Sequence, residues 1–292
     1  MSIKGIFGAS VLILGFCSCI QEYTPYEDNE RAKLVIKAEI ESGSVAPLIE
    51  ISSSFRQSDS IPVISNAIRV EMYEENNPEP YEFSLLQESG THWQAPEDLI
   101  FEQGKAYFLK IDPTDIDIQA ANGESVIPFP GELHTISYNL DENIDELALS
   151  MKLNEPPHYN SYYHLIPFYL DEYGEKQYLD LDRIEQGSNA CILLNNRYGM
   201  LIDYFSLPED KYLSFVADYL HSANTGSQNS GFLYIILRTV DEDYYLYNRS
   251  LSKLTESNQN PFTLPTTTFS NISNGYGLFS AFSSVTDSIR IE

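Results

Sequence analysis

Histidines, cysteines and closely spaced aspartates are the residues of this 292-residue chain best able to do chemistry. His92, His134, His158, His164 and His221 are scattered along it. His158 and His164, in "HYNSYYH", could share one face of a strand. No cysteine or carboxylate pattern completes the converging ligand set that zinc needs. Asp112, Asp115 and Asp117 in "DPTDIDI", and Asp180 and Asp182 in "DLD", gather oxygens of the kind calcium takes. Both stretches lack the glycine and distal glutamate of an EF-hand loop and read as solvated loop acids. No H-E-x-x-H, G-x-S-x-G, P-loop or dinucleotide fingerprint occurs. A non-enzymatic chain without a cofactor is therefore expected. The aromatic runs "YNSYYH" and "DYYLYN" could stack on sugar rings, and packing accounts for them equally well.

Two of the three cysteines stand close together in "GFCSCIQE". They follow Lys4 and the uncharged run "GIFGASVLILGF". About a dozen such residues match the apolar region of a secretory signal and fall short of the roughly 20 that span a membrane. Ser18 is small enough to precede a cleavage site, whereas Phe16, before Cys17, is not. "FCSC" thus resembles a lipobox, with Cys19 the acylated first residue and Phe16 where leucine is usual. Several acyl chains on Cys19 would anchor stably, at about 0.8 kcal/mol per buried methylene. Cys17 leaves with the signal. That leaves Cys191, in "NACILLNN", as a buried and inert thiol with no disulfide partner.

Acidic residues number 43 against 17 basic ones, a formal charge of −26. Such a surface is repelled by phosphate backbones, which argues against nucleic-acid binding. After Cys19 the segment "IQEYTPYEDNER" is acidic, polar and broken by Pro25, and reads as a tether.

The elements that must position these groups are mostly strands. In "KLVIKAEI", Leu34, Ile36, Ala38 and Ile40 fall on one face. In "AIRVEMYE", Ile68, Val70 and Met72 oppose Arg69, Glu71 and Tyr73. In "KAYFLKID", Tyr107, Leu109 and Ile111 share a face, and in "ELALSMKL", Leu147, Leu149, Met151 and Leu153 do. "GFLYIILRTV" is apolar on both faces and reads as a central buried strand. Residues 211–220 fit both a helix and a strand, and we favour the strand. "TVDEDYYLYNRSLSKL" predicts a helix, with Thr239 and Glu242 as a capping box and a stripe of Tyr244, Tyr247, Leu251 and Leu254. The fold class is mainly β: an N-terminal immunoglobulin-like β-sandwich and a second β-rich domain with a short helix near its C-terminal end. The expected organisation is a signal peptide over 1–18, a tether over 19–30, the first sandwich over 31–118 and the second domain over 119–292. "ANGESVIPFPGE" reads as the linker between the last two.

The tail "NPFTLPTTTFSNISNGYGLFSAF" is the most specific stretch. Pro261 and Pro265 force extended backbone, Asn274-Gly275 signals a turn, and Phe262, Leu264, Ile272, Leu278, Phe279 and Phe282 are apolar enough to be core. The tail resembles the C-terminal signature of a Bacteroidota lipoprotein family called domain of unknown function 4249. The matching residues are Pro261-Phe262, Ser270-Asn271-Ile272 and Gly275 to Phe279, with Tyr276 where leucine is usual. "VDEDYYLYNRSL", "RAKLVIKAEIESG" and "ISNAIRVEMYE" are similar to further blocks of that family. The resemblance implies a β-rich outer-membrane lipoprotein, commonly encoded beside a TonB-dependent receptor. It implies an accessory, ligand-binding partner of that receptor in nutrient uptake, the ligand unspecified; the alternative is a structural, adhesin or envelope-assembly lipoprotein. The acidic stretch behind Cys19 resembles a surface-export signal, so the expected location is the cell exterior. "DSI" at Asp59–Ile61 and Asp287–Ile289 is similar to a Bacteroidota O-glycosylation motif on Ser60 and Ser288.

Overall fold

The computed structural model describes residues 32–44, 47–54, 67–86, 90–114, 118–141, 146–154, 162–194, 197–218, 231–259 and 267–291. Cys19, Ser60, Asp115, Asp117, His158, His221, Phe262 and Leu264 lie outside them, as do the signal segment and tether. Alternation of apolar and polar residues becomes strand as expected. The chain runs through β1 (Leu34–Glu41), β2 (Leu48–Ser53), β3 (Ile68–Glu74), β4 (Tyr81–Glu82), β5 (Ser84–Leu85), β6 (His92–Gln94), β7 (Ala106–Pro113), β8 (Ala121–Val126) and β9 (Leu133–Asp141). It continues through β10 (Glu146–Leu153), β11 (Tyr162–Leu170), β12 (Lys176–Tyr178), β13 (Asp180–Gln186), β14 (Cys191–Leu193), β15 (Met200–Asp203), β16 (Tyr212–Asp218) and β17 (Phe232–Val240). The helix α1 (Glu242–Gln259) and the 15-residue strand β18 (Tyr276–Arg290) complete it. The fold is therefore mainly β with one helix near the C-terminal end, and residues 212–218 are strand.

One large sheet organises the rest, in the order β14-β15-β11-β17-β18-β1-β2-β6-β5, with β12 also on β11. A four-stranded sheet, β4-β3-β7-β8, covers one part of it and β13-β16-β10-β9 covers another. The first core holds Leu34, Ile36, Ile49, Met72, Tyr107 and Phe279. The second holds Leu147, Leu149, Phe215, Leu233, Ile235 and Leu237, with Val285 and Ile289 packed against it. Each fully buried Leu, Ile or Phe side chain contributes about 1.5–3 kcal/mol. On the other face of the large sheet, Tyr244 and Tyr245 of α1 pack with Leu201, Val240, Leu278 and Phe282.

Three expectations are corrected. The boundary at 118/119 does not divide the sheets, because β18 pairs with β1 in parallel over Val35↔Tyr276 to Glu41↔Phe282. Ala32–Glu292 is one compact unit. "ANGESVIPFPGE" is not merely a linker: it contains β8, whose Ala121, Gly123 and Ser125 face inward and alternate with exposed Asn122, Glu124 and Val126. Its inward residues are small because Phe279 sits over them; a Cβ on Gly123 would lie 2.9 Å from the Phe279 Cβ. Finally, Thr239 does not cap α1. It belongs to β17, and its hydroxyl accepts the Gly131 N–H at 2.6 Å. The cap is Asp241.

The junction of β18 with β1 requires a glycine. Gly277 has φ of +108°, and a Cβ there would stand 1.9 Å from the Ile36 carbonyl oxygen. The obstacle is backbone, so no rotamer change relieves it. Gly277→Ala is expected to cost on the order of 3 kcal/mol or more. Urea unfolding of the variant measures this; an unchanged midpoint would show that the two strands can part at this point without consequence.

Candidate functional site

β18 pairs with β17 only from Phe282 onward, so the first half of that edge needs other partners. Buried backbone groups without partners are costly, and here two side chains meet the need. The Asn271 amide acts as a peptide group: its Oδ1 accepts the Phe279 N–H at 3.0 Å and its Nδ2 donates to the Phe279 carbonyl at 2.7 Å. Two residues on, Asp241 Oδ2 accepts the Ala281 N–H at 3.0 Å. The same oxygen accepts the Ser125 hydroxyl of β8 at 2.5 Å, and Oδ1 caps α1 by accepting the Tyr244 N–H at 2.7 Å. One carboxyl thus ties β8, β18 and α1 together. Burial pushes it up to about 6, against these three hydrogen bonds, which favour its ionised form.

A second polar cluster lies under the start of α1. His164 of β11 contacts the Tyr244 hydroxyl through Nδ1 and the Tyr198 carbonyl through Nε2, both at 2.8 Å. A carbonyl only accepts, so Nε2 carries the proton and Nδ1 receives the Tyr244 O–H. The Tyr244 oxygen in turn accepts Arg197 Nη1–H at 3.0 Å, and Arg197 ion-pairs with Glu39 of β1. Burial raises the Glu39 carboxyl, but the Arg197 guanidinium outweighs it and holds the group below the usual carboxylate range. His164 is pushed down to about 3, chiefly by burial, which its hydrogen bond to Tyr198 only partly opposes. The cluster joins β1, β11 and α1.

A recess accessible to solvent lies elsewhere, on the outer face of the β3-β7-β8 sheet. A cleft of about 500 Å³ lies between that face and the segment carrying Asn271 and Ser273. Pairing register builds its floor. Tyr73 stands opposite Phe108, Phe108 opposite Glu124, and Lys110 opposite Asn122. The Tyr73 hydroxyl donates to Glu71 at 3.0 Å, which raises the Tyr73 phenol above its ordinary value. Lys110 is held by Asp112 at 2.5 Å. Asp243, in the first turn of α1, accepts from Asn271 Nδ2 at 2.8 Å and forms part of the wall. Backbone bonds between Asn122 and Ser273 close one side.

The residues singled out from the sequence do not meet there. His92 and His134 lie on β6 and β9, apart from His164. Asp180 and Asp182 are on the edge strand β13, where Asp182 pairs with Arg183. Among the described residues no group of three or more His, Cys, Asp or Glu is placed to hold a metal ion. Cys191 is buried, and burial pushes its thiol up to about 12. Ser288 is exposed on β18. Tyr73, Phe108 and Lys110 of the cleft lie on the faces opposite the ones read as core. One signal was available: Phe108 is an aromatic residue on the outward side of β7 beside Lys110 and Asp112, and it stays 37% exposed.

The buried histidine gives the protein an acid sensitivity. Below about pH 6.5 the unfolded chain binds a proton at residue 164 that the folded chain refuses until about pH 3. Stability from this residue is present above pH 6.5 and declines as the pH falls. Asp241, with its raised value, contributes with the opposite sign, so the comparison must be made against a variant. The stability advantage of the wild type over His164→Gln is expected to shrink by about 3 kcal/mol between pH 7.5 and 4.5. Urea unfolding at both pH values measures it; parallel pH dependences would show that His164 is protonated in the fold.

No curated protein matches the sequence. Among solved structures, a DUF4785 family protein from Legionella pneumophila is similar at 13% identity, with 71% of this chain covered and a TM-score of 0.25. This chain spans 52% of that one. A marsupial T cell receptor matches at 10% identity over 73% of this chain and 69% of its own, with a TM-score of 0.24. A candidate carbohydrate binding protein from Bacteroides uniformis matches at 8% identity over 71% and 89%, with a TM-score of 0.21. Among the described residues no helix is long and apolar enough to cross a membrane. The family model described as Domain of unknown function (DUF4249) matches residues 20–288, which take in β1 to β17, the helix, most of β18 and the Asn271-to-Phe279 closure, and the chain belongs to that family.

Proposed function

We propose that this protein is a membrane-tethered, non-enzymatic binding subunit that serves a TonB-dependent outer-membrane receptor in nutrient uptake. The observation that carries the reading is the cleft over Tyr73 and Phe108: a recess on paired strands, open to solvent and walled by the hydrogen-bonded Asn271 and Asp243. Pockets of this kind combine a partly apolar floor with a few placed polar groups. Lipid on Cys19 would hold the protein at the outer membrane, and the acidic tether behind it would let the folded unit reach the receptor's outer face. The reading is also supported by the sequence's resemblance to lipoproteins encoded beside such receptors.

Anchoring and partnership can be tested together. Cys19→Ala is expected to lose both the label from a fatty-acid analogue and membrane retention, while Cys17→Ala keeps them. A tagged wild-type protein, extracted in mild detergent, is expected to enrich a barrel receptor. Label persisting on the Cys19 variant would overturn the anchor, and extraction that never enriches a barrel would overturn the partnership.

A further inference from the structure

We infer that the cleft on the β3-β7-β8 face is a site for a neutral saccharide, whose ring lies against Phe108 and whose hydroxyls bond to Asn122 and Glu124. The inference deepens the binding reading above and rests on it. Phe108 is the first reason. Its ring is 37% exposed on the solvent side of a sheet, next to Tyr73 in register. An aromatic surface in water is best covered by a ligand with an apolar side, and the C–H face of a pyranose supplies one.

The polar groups narrow the class. Lys110 is committed to Asp112, and Asp243 to Asn271. The Asn122 amide and the Glu124 carboxylate are exposed beside the aromatic floor, Glu124 directly across from Phe108. An amide and a carboxylate together supply the donors and acceptors that hydroxyl groups need. An anionic ligand would meet Glu124 and Asp243 with the cleft's lysine already neutralised. An extended peptide would need to add to the free edge of β8, and that edge is taken up at Asn122 by Ser273. A volume of about 500 Å³ is within the range of small-molecule sites.

The test uses the full chain in detergent on a glycan array holding neutral and uronate-containing oligosaccharides, with hexalysine as a cationic probe. The strongest neutral glycan is then titrated by calorimetry. Binding to a neutral glycan is expected, weakened about tenfold in Phe108→Ala. Asn122→Ala should also weaken it, and Tyr178→Ala, on a distant sheet face, should not. Phe108 lies outside both cores, so its variant should unfold at the wild-type temperature, which separates a lost contact from a lost fold. Binding to no neutral glycan, a preference for uronates or hexalysine, or affinity unchanged in Phe108→Ala would each overturn the inference. Receptor recovery with no sugar bound would overturn the ligand class alone; sugar binding with no receptor recovered would overturn the accessory role alone.

Discussion

β18 changes its strand partner at Phe282, and the rest of the structure depends on how the backbone of its buried first half is satisfied on the side away from β1. On one side, β1 takes Tyr276 to Phe282. On the other, β17 takes Phe282 to Arg290. The two stretches overlap at a single residue. The N–H and C=O groups of Phe279 and the N–H of Ala281 would otherwise be buried without strand partners. Asn271 and Asp241 meet that need with side chains, and each is placed by a neighbouring element. Asp241 is fixed as the cap of α1, and Asn271 by its bond to Asp243 in the first turn of the same helix. The start of the helix, the end of the chain and the first strand are thus parts of one hydrogen-bonded closure.

That closure also shapes the cleft. Asp243, Asn271 and Ser273 are its wall, and they stand where they do because Phe279 has to be bonded and Gly123 has to pass beneath it. The floor comes from the small sheet, and the two meet at the bonds between Asn122 and Ser273. Shape at the site is therefore inherited from the packing of β8 against β18 rather than from a separate loop. A recess built in this way is preformed, which lowers the ordering cost of binding. The charge of −26 disfavours the approach of anions.

Much of the strand content was legible in the sequence, because alternation over "KLVIKAEI", "KAYFLKID" and "ELALSMKL" maps directly onto buried and exposed positions. Of the apolar tail residues, Ile272, Leu278, Phe279 and Phe282 are buried, as their apolar character implies. What alternation cannot give is pairing between distant strands: nothing in "KLVIKAEI" says that its partner lies near residue 280. β8 was missed because its inward residues are Ala, Gly and Ser, which carry no hydrophobic signal. The role of Asp241 is not readable from its neighbours in sequence, since a cap that also bonds Ser125 and Ala281 is defined by residues far along the chain. The cleft was hidden because its residues occupy polar faces, where a solvated surface is the ordinary outcome. The signature residues around Gly277 gain a physical account here: one glycine that lets β18 reach β1, and one asparagine that completes the strand's edge.

The central claim is that β18 makes the two cores a single cooperative unit, since its Phe279 and Ala281 belong to the first and its Val285 and Ile289 to the second. Trp93 is the only tryptophan and is buried in the first core, so its fluorescence reports that core alone. Amide hydrogen exchange at Leu149, Leu213 and Phe215 reports the second. Followed together through a urea titration, the two signals are predicted to change with one midpoint, as a two-state unit requires. Loss of the Trp93 signal at a urea concentration where those amides remain fully protected would contradict the account.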